Sequence, residues 1–394
     1  MFNLNTSVYT DLDPRYREPL GSRLSTLLNG TLRIAYVYES PDYSTFRYRV
    51  YNMVEAINLE ARRRSTAISA SYFTNLDGDF LPLVADSADV LVLSRYRHSD
   101  YLERLLERAR SRGAAILFDI DDLVFDVDHI SSLARAIQIG DAHLSLFAGD
   151  AVRFRKTIDL CDAALVSTPV LASQLIELTG RDATVVPNFM NSAQLKISKV
   201  LFEAKQRAGF ARSGPTVVGY FSGSPTHNHD FELVVEVLGD FFTHWPGAQL
   251  RVVGDVDSRL LKRIGCSRVQ RFKKVDYFAL QRLIAEVELN LVPLVKSTFT
   301  DCKSELKYFE AAAVGVPSVA SATDAYSRAI THGRNGFIVD TGDWRNVLEE
   351  AMALTYSTRN YAEMASEAHS DAVRNFSPVN MGPLILSSIL KFKN

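Results

Sequence analysis

Cysteine is scarce in this chain of 394 residues, and its three copies, Cys161, Cys266 and Cys302, are far apart. An odd number of widely separated cysteines argues against a disulfide framework and a zinc site, and it indicates a reducing compartment. No apolar run is long enough to span a bilayer, and the N-terminus lacks the pattern of a signal peptide. These absences predict a cytoplasmic protein and leave peripheral contact with the inner face of a membrane open.

The chain also lacks an excess of either charge, since 44 basic and 46 acidic residues give a formal net charge of −2. Domains that bind nucleic acid usually carry a clear positive excess, so this balance argues against a nucleic-acid partner. Hydrophobic residues make up 47% and charged residues 23% of the sequence, which is typical of a globular protein. The length accommodates two or three domains.

Short apolar runs alternate with helical patterns in two successive halves, which predicts parallel α/β sheets. Strands are predicted in the first half at 32–37, 65–73, 89–94, 114–118, 163–167 and 185–186. In the second half they are predicted at 216–221, 249–253, 270–272, 289–295, 318–320 and 336–339. The predicted domains are 1–191, then 215–375 after a linker at 192–214, with a helical extension at 376–394. Breaks in this final helical region are predicted at Pro378 and Pro383.

The second half contains the most informative stretch, TFTDCKSELKYFEAAAVGVPSVAS at 298–321. A helix is predicted over 304–314, with Gly315 in a left-handed conformation after it and Pro317 preventing its continuation. Lys303, Lys307 and Glu310 have the spacing of one helix face. A loop between a strand and a helix in an α/β sheet is a common place for an anionic ligand. The pattern therefore predicts a phosphate-binding cation and a carboxylate that accepts ribose hydroxyls.

The second half of this stretch, Glu310-Ala-Ala-Ala-Val-Gly-Val-Pro317, resembles the donor-binding signature of GT-B glycosyltransferases of the retaining family 4. The resemblance implies two Rossmann-like α/β domains with parallel sheets facing a central cleft, and C-terminal helices that cross back to the first domain. It makes Glu310 the ribose-binding carboxylate, and it implies that Lys303 and Ser304 contact the donor. The family has a first Glu eight residues before Glu310, where this chain has Cys302. This departure concerns the donor sugar more than the nucleotide.

A second candidate binding loop lies in VGYFSGSPTHNHD at 218–230. A predicted strand opens into hydroxyl, glycine and imidazole groups, which can hold phosphate, and Asp230 is placed to cap the next helix. Many GT-B enzymes have an Arg and a Lys in this loop, and this chain has neither, so histidine or Lys303 would have to substitute. The predicted donor-binding residues here are Ser222, Gly223, Ser224, Thr226 and His227. The alternative is that the histidines are solvated loop residues.

Three carboxylates, Asp119, Asp121 and Asp122, end the predicted strand of AAILFDIDDLVF in the first half. The motif resembles the aspartate loop of haloacid-dehalogenase phosphatases, although Leu123 departs from it, and the Asp-x-Asp of GT-A transferases. Within the GT-B topology, Asp121 and Asp122 are the predicted catalytic residues near the acceptor hydroxyl, and Asp119 is a predicted substrate contact. Capping and loop hydrogen bonds are the competing explanation.

The segment TFRYR at 45–49 follows the first predicted strand. Arg47 and Arg49 are predicted to contact an anionic acceptor or the donor diphosphate, with ordinary helix-surface charge as the alternative. The GT-B resemblance implies a nucleotide-diphosphate sugar as the donor substrate and no bound metal, so no metal site and no cofactor is predicted.

The first functional hypothesis is a glycosyltransferase that transfers a sugar from a nucleotide-diphosphate sugar to a saccharide or lipid-linked saccharide acceptor. The resemblance implies retention of anomeric configuration and a role in polysaccharide or glycoconjugate biosynthesis. A nucleotide-sugar 2-epimerase of the same fold is the second hypothesis. The third is a non-catalytic nucleotide-sugar-binding subunit of a polysaccharide-assembly complex, which Cys302 favours. The sequence leaves the sugar, the base, the acceptor and the oligomeric state open.

Overall fold

The computed structural model describes residues 1–2, 18–41, 45–130, 141–223, 227–340 and 342–393, except for the side chains of 141–144 and 266. These residues form two compact units, each built on a six-stranded parallel sheet. The N-terminal unit contains 18–191, Cys302–Ser304 and the chain from Pro378 onward. The C-terminal unit contains residues 1–2, Ser192–Asp301 and Glu305–Ser377. The predicted α/β class is therefore confirmed.

The sheet of the N-terminal unit has the order β2-β1-β3-β4-β5-β6. Its strands are β1 Leu32–Tyr38, β2 Ile68–Thr74, β3 Val90–Ser94, β4 Ala115–Ile120, β5 Ala163–Val166 and β6 Ala183–Val185. Its α-helices are α1 Leu20–Leu28, α2 Asn52–Arg63, α3 Leu81–Ser87, α4 Asp100–Ser111, α5 Asp141–Asp159 and α6 Pro169–Thr179. A 3-10 helix, Asn75–Phe80, precedes α3, and a π-helix, Arg47–Tyr51, precedes α2.

Helix α4 illustrates why these segments are helical. The hydroxyl of Ser99 accepts a hydrogen bond from the Leu102 amide and caps the first turn. Four apolar side chains at helical spacing are buried, while charged residues occupy the other face: Leu102, Leu105, Leu106 and Ala109. The helix thus covers the sheet with one apolar stripe.

The C-terminal unit has the sheet order β12-β11-β10-β7-β8-β9. Its strands are β7 Thr216–Phe221, β8 Ala248–Val253, β9 Val269–Phe272, β10 Leu289–Val292, β11 Ser318–Ser321 and β12 Phe337–Val339. Its first α-helices are α7 Ser192–Arg207, α8 Asn228–His244, α9 Ser258–Ile264, α10 Tyr277–Ala285 and α11 Thr298–Asp301. The later ones are α12 Leu306–Ala312, α13 Asp324–Ala329, α14 Trp344–Thr355 and α15 Thr358–Asn375, and a 3-10 turn spans Cys266–Arg268.

Helix α12 is shorter than the predicted 304–314, because Glu305 is its N-cap residue and the helical turns end at Ala312. Lys303 therefore lies before the helix, and the prediction that it shares a helix face with Lys307 and Glu310 is wrong. Gly315 does adopt the predicted left-handed conformation, with φ of 63°. A Cβ atom there would approach the Phe202 ring to 2.7 Å, so both the backbone and the packing require glycine.

The last helix, α16 Pro378–Leu390, belongs to the N-terminal unit and packs on α2. Gly382 permits this close approach, because a Cβ atom there would lie 2.9 Å from the carbonyl oxygen of Ala56. The predicted break at Pro383 is wrong, since the helix continues through it. Val379, whose carbonyl loses its intrahelical donor at Pro383, is 55% exposed, so water can bind that carbonyl.

Candidate functional site

The strand order of the C-terminal unit reverses between β7 and β10. The chain builds β7, β8 and β9 outward on one side, then returns to the other side of β7 with β10, β11 and β12. In open parallel sheets, ligands bind beyond the carboxyl ends of the strands at such a reversal. The loops after β7 and β10, with the first turns of α8 and α12, therefore form the candidate site of this unit.

The loop after β7 carries Ser222, Gly223 and His227 at this position, while the predicted Ser224 and Thr226 lie outside the described residues. The amide of Ser222 donates to the Val253 carbonyl at 2.9 Å, which holds the loop against the end of β8. Gly254 allows this approach, because a Cβ atom on it would lie 2.1 Å from the Ser222 carbonyl oxygen. The Tyr220 hydroxyl donates to the His227 carbonyl at 3.2 Å.

Asp230 connects the two sides of the strand reversal. Its Oδ1 accepts from the Val295 amide beyond β10 at 2.9 Å, and its Oδ2 lies 3.0 Å from Nδ1 of His227. Burial raises the pKa of Asp230, but the His227 and Val295 hydrogen bonds, with the charges of His227 and Lys307, lower it overall. The predicted capping role is wrong, because α8 begins at Asn228 and leaves Asp230 within its first turn.

Helix α12 contributes Lys307 and Glu310. The Lys307 ammonium lies 5.2 Å from the centre of the Tyr220 ring. Glu310 is buried to 8% exposure, its Oε1 lies 3.4 Å from the Gln194 amide nitrogen, and its carbonyl accepts from Gln281 at 2.6 Å. Its contacts fix the carboxylate within the C-terminal unit.

Glu305, the N-cap residue of α12, is a buried acid that the sequence did not single out. Burial raises its pKa to about 7, partly offset by its own backbone amide and the charge of Arg328. Nothing in the local pattern distinguished Glu305 from a solvated charge, because its burial depends on the fold around it.

Lys303 and Ser304 group with the N-terminal unit rather than with α12. The Lys303 ammonium lies 3.3 Å from Oδ1 of Asp122, and the Ser304 hydroxyl accepts from the Asn188 side chain at 2.9 Å. The carbonyl of the fully buried Cys302 accepts from the Thr168 hydroxyl at 2.9 Å. The donor-binding role of Lys303 and Ser304 remains a prediction.

The sheet of the N-terminal unit reverses between β1 and β3. Arg95, the first residue after β3, has a left-handed backbone with φ of 41°, which is strained for a residue with a Cβ atom. Its Nη1 donates to the Thr45 hydroxyl at 2.9 Å, and it lies 3.5 Å from Asp121 and 3.6 Å from Asp122. Arg95 is not among the residues predicted from the sequence, although its place directly after an apolar strand is a signal that could have identified it.

Asp121 and Asp122 follow β4 and differ in burial. Asp121 is 8% exposed, whereas the Asp122 side chain is 27% exposed and contacts both Arg95 and Lys303. Burial, with repulsion from Asp122, raises the pKa of Asp121 to about 6, despite the opposing charges of Arg95 and Arg49. A carboxyl group with this pKa can exchange a proton near neutral pH.

The other predicted substrate contacts of this unit have internal partners. Arg49 forms a fully buried ion pair with Asp119 at 2.7 Å. Arg47 is 7% exposed, its guanidinium lies 4.4 Å from the centre of the Tyr48 ring, and its Nη2 donates to the Tyr48 hydroxyl at 2.8 Å. Both arginines lie in the π-helix and are buried, so they are not the exposed helix-surface charges of the alternative explanation.

Among the described residues, no three His, Cys, Asp or Glu side chains gather as a metal-binding group. Within the same residues, no helix combines the length and hydropathy needed to cross a membrane.

Comparisons with known proteins agree with this architecture. Residues 215–357 match the family Glycosyl transferases group 1. A phosphatidyl-myo-inositol mannosyltransferase of Mycobacterium leprae (strain TN) is 24% identical over 204 residues, which are 51% of this chain and 51% of that protein. The chain thus matches about half the length of this curated relative.

Solved structures match over more of the chain. Anabaena Alr3699/HepE in complex with UDP has a TM-score of 0.61 at 15% identity, covering 91% of this chain and 100% of that one. Sucrose-phosphate synthase from Thermosynechococcus elongatus has a TM-score of 0.59 at 14% identity, covering 91% and 99%. The chain therefore has the GT-B fold of glycosyltransferases, and its residues 215–357 are similar to the Glycosyl transferases group 1 family.

Proposed function

We propose that this protein is a glycosyltransferase that transfers a sugar from a nucleotide-diphosphate sugar to an acceptor hydroxyl with retention of configuration. The observation that carries the proposal is the site at the β7–β10 reversal, which lies within the family match and holds Glu310 as a buried carboxylate. UDP in the Anabaena structures makes UDP-sugars the first donors to test.

In this proposal the C-terminal unit holds the donor. Glu310 accepts hydrogen bonds from the ribose hydroxyls, as the family resemblance implies. Ser222, Gly223 and His227 contact the diphosphate, together with a lysine. Binding there stabilises the diphosphate as it takes the electron pair of the breaking bond to the anomeric carbon.

The N-terminal unit supplies the groups that meet the acceptor. The acceptor oxygen forms the new bond to the anomeric carbon on the face from which the diphosphate leaves, as retention requires, and loses its proton. We assign the carboxylates of Asp121 and Asp122 to this end of the reaction. The pKa of Asp121, about 6, leaves most of this group ionised at neutral pH and able to accept a proton. A saccharide or lipid-linked saccharide acceptor, and a role in polysaccharide or glycoconjugate biosynthesis, belong to the same proposal.

The test is release of nucleoside diphosphate from UDP-glucose, UDP-GlcNAc, GDP-mannose and dTDP-rhamnose, with and without a panel of saccharide acceptors. Acceptor-dependent release, with a product of retained anomeric configuration by NMR, is the expected result. Conversion of UDP-GlcNAc without acceptor would instead identify a 2-epimerase. An inverted product would remove the retention from the proposal.

A second candidate function rests on Cys302. This position holds a buried cysteine where the family has a Glu, so it supplies no carboxylate to the donor sugar. A protein that binds nucleotide sugars without transferring them is the alternative that this observation favours. Tight binding of a nucleotide sugar, with no turnover over the acceptor panel, would support it.

A further inference from the structure

The further inference rests on the proposed function and concerns the positive charge that holds the donor diphosphate. A diphosphate carries negative charge on both phosphoryl groups and is commonly held by Lys or Arg. The loop after β7 contains neither residue. The sequence pattern predicts Lys303 for this role, but its ammonium in the structure lies 3.3 Å from a carboxylate oxygen of Asp122 in the N-terminal unit.

Lys307 lies where the strand order of the C-terminal unit reverses. It is the second residue of α12, and its ammonium stands 5.2 Å from the centre of the Tyr220 ring in β7. Tyr220 is two residues before Ser222, and its hydroxyl binds the His227 carbonyl. The Lys307 charge is therefore directed to the strand whose carboxyl end carries the candidate phosphate loop.

The groups around Lys307 fix its position. The ring of Tyr220 is fully buried and packs against Phe231, with the ring centres 4.4 Å apart and the planes tilted by 34°, so it offers a rigid face to the ammonium. Asp230, whose pKa is lowered by the charge of Lys307, is itself held by hydrogen bonds to the Val295 amide and to His227. Because both neighbours are held by the fold, the ammonium is oriented before a ligand arrives, which lowers the entropic cost of binding.

We propose that Lys307, rather than Lys303, is the principal cation for the diphosphate of the donor. Lys307 and Glu310 lie on the same helix, α12, and Glu310 is one turn further along the chain. A single short helix thereby presents a cation to the diphosphate and a carboxylate to the ribose. The spacing of three residues puts the two side chains on one face of α12.

The experiment compares binding of UDP, GDP, dTDP and uridine to the full chain by isothermal titration calorimetry, using the tightest diphosphate as the probe. Lys307→Gln is expected to weaken diphosphate binding about tenfold to hundredfold, the loss typical of one charged hydrogen-bond partner. Binding of the corresponding nucleoside is expected to change less than twofold. Lys307→Arg, which keeps the charge, is expected to restore part of the affinity.

Two further variants provide the comparison. Lys303→Gln is expected to lose less diphosphate affinity than Lys307→Gln. Lys199→Gln removes a lysine whose side chain is 73% exposed on α7, and this variant is expected to bind the diphosphate as the wild type does.

Unchanged diphosphate affinity in Lys307→Gln, or a larger loss in Lys303→Gln, overturns the inference while donor binding itself stands. A wild-type protein that binds none of the diphosphates overturns both the inference and the proposed function. Equal losses for diphosphate and nucleoside in Lys307→Gln would also contradict it, because a cation that acts on the phosphates should not weaken nucleoside binding to the same extent.

Discussion

Arg49 donates hydrogen bonds from Nε and Nη2 to the two carboxylate oxygens of Asp119, at 2.7 and 2.9 Å, and neither side chain is exposed. The remaining Nη1 of Arg49 binds the Val186 carbonyl at 2.6 Å and the Asn188 side chain at 3.2 Å. The pair thus joins the π-helix to β4 and to the segment after β6. Substrate contact for these two residues remains a prediction, while their internal contacts suit a structural role.

The first prediction is that Arg49→Met destabilises the protein by about 3–5 kcal/mol, since it leaves the Asp119 carboxylate buried without its partner. The double variant Arg49→Met with Asp119→Leu is expected to lose less, because both charges are removed. Urea unfolding measures the free energy of unfolding of each variant.

Arg33→Met is the control, because Arg33 pairs with Asp89 at a partly exposed position where an ion pair contributes about 0–1 kcal/mol. An Arg49→Met variant no less stable than Arg33→Met would contradict the structural role. A stable double variant that no longer binds the acceptor would instead support substrate contact.

The second prediction is that Glu310→Gln weakens nucleotide-sugar binding by about 1–3 kcal/mol, the range for one lost charged hydrogen-bond partner. The loss should appear equally for the nucleoside and the nucleoside diphosphate, since we assign Glu310 to the ribose. Calorimetric titration with UDP and uridine measures it. Glu363→Gln, at a side chain 64% exposed on α15, is the control, and an unchanged UDP affinity in Glu310→Gln would exclude Glu310 from the site.

The fold was predictable because its signals are local. Apolar runs such as 32–37 and 216–221 correspond closely to β1 and β7, and Gly315, three residues after the end of α12, has the left-handed backbone that its residue type favours. The alternation of strands and helices then implies parallel pairing. None of these signals requires knowledge of a distant residue.

The contacts that local sequence patterns did not predict join partners that are distant in sequence. Asp230 binds an amide 65 residues away, and Arg49 binds a carboxylate 70 residues away. A local pattern predicted a cap for the first and a substrate contact for the second, because only the folded chain brings the actual partners together. The same holds for Lys303, whose contact with Asp122 spans 181 residues.

The third prediction concerns the aspartates after β4. If Asp121 serves transfer, Asp121→Asn should lower turnover about a hundredfold or more, the typical contribution of acid–base catalysis, and leave donor affinity nearly unchanged. Asp122→Asn, at the more exposed carboxylate, is expected to have the smaller effect. Steady-state rates with the accepted acceptor, together with UDP titrations, measure both. Near-wild-type turnover in both variants would remove the aspartates from the reaction.

The last prediction uses the pKa of Asp121, which faces Asp122, Arg95, Arg49 and Asp119. A base must be ionised to accept a proton, so turnover should fall as the pH decreases through about 6, the pKa of Asp121. The positive charge of Arg95 favours the ionised form and lowers this pKa. Removing that charge in Arg95→Gln should therefore raise the pKa of Asp121. The acid limb of the pH–rate profile should then move to higher pH by about one pH unit.

Arg97→Gln is the matched control for this shift. Arg97 lies two residues further on and pairs with Glu39 and Asp150, so its loss should leave the acid limb in place. A merely structural role for Arg95 would lower turnover at every pH without moving the limb. If Arg95→Gln keeps the wild-type limb, Arg95 does not act through Asp121. If Asp121→Asn keeps that limb, the titrating group is a different one.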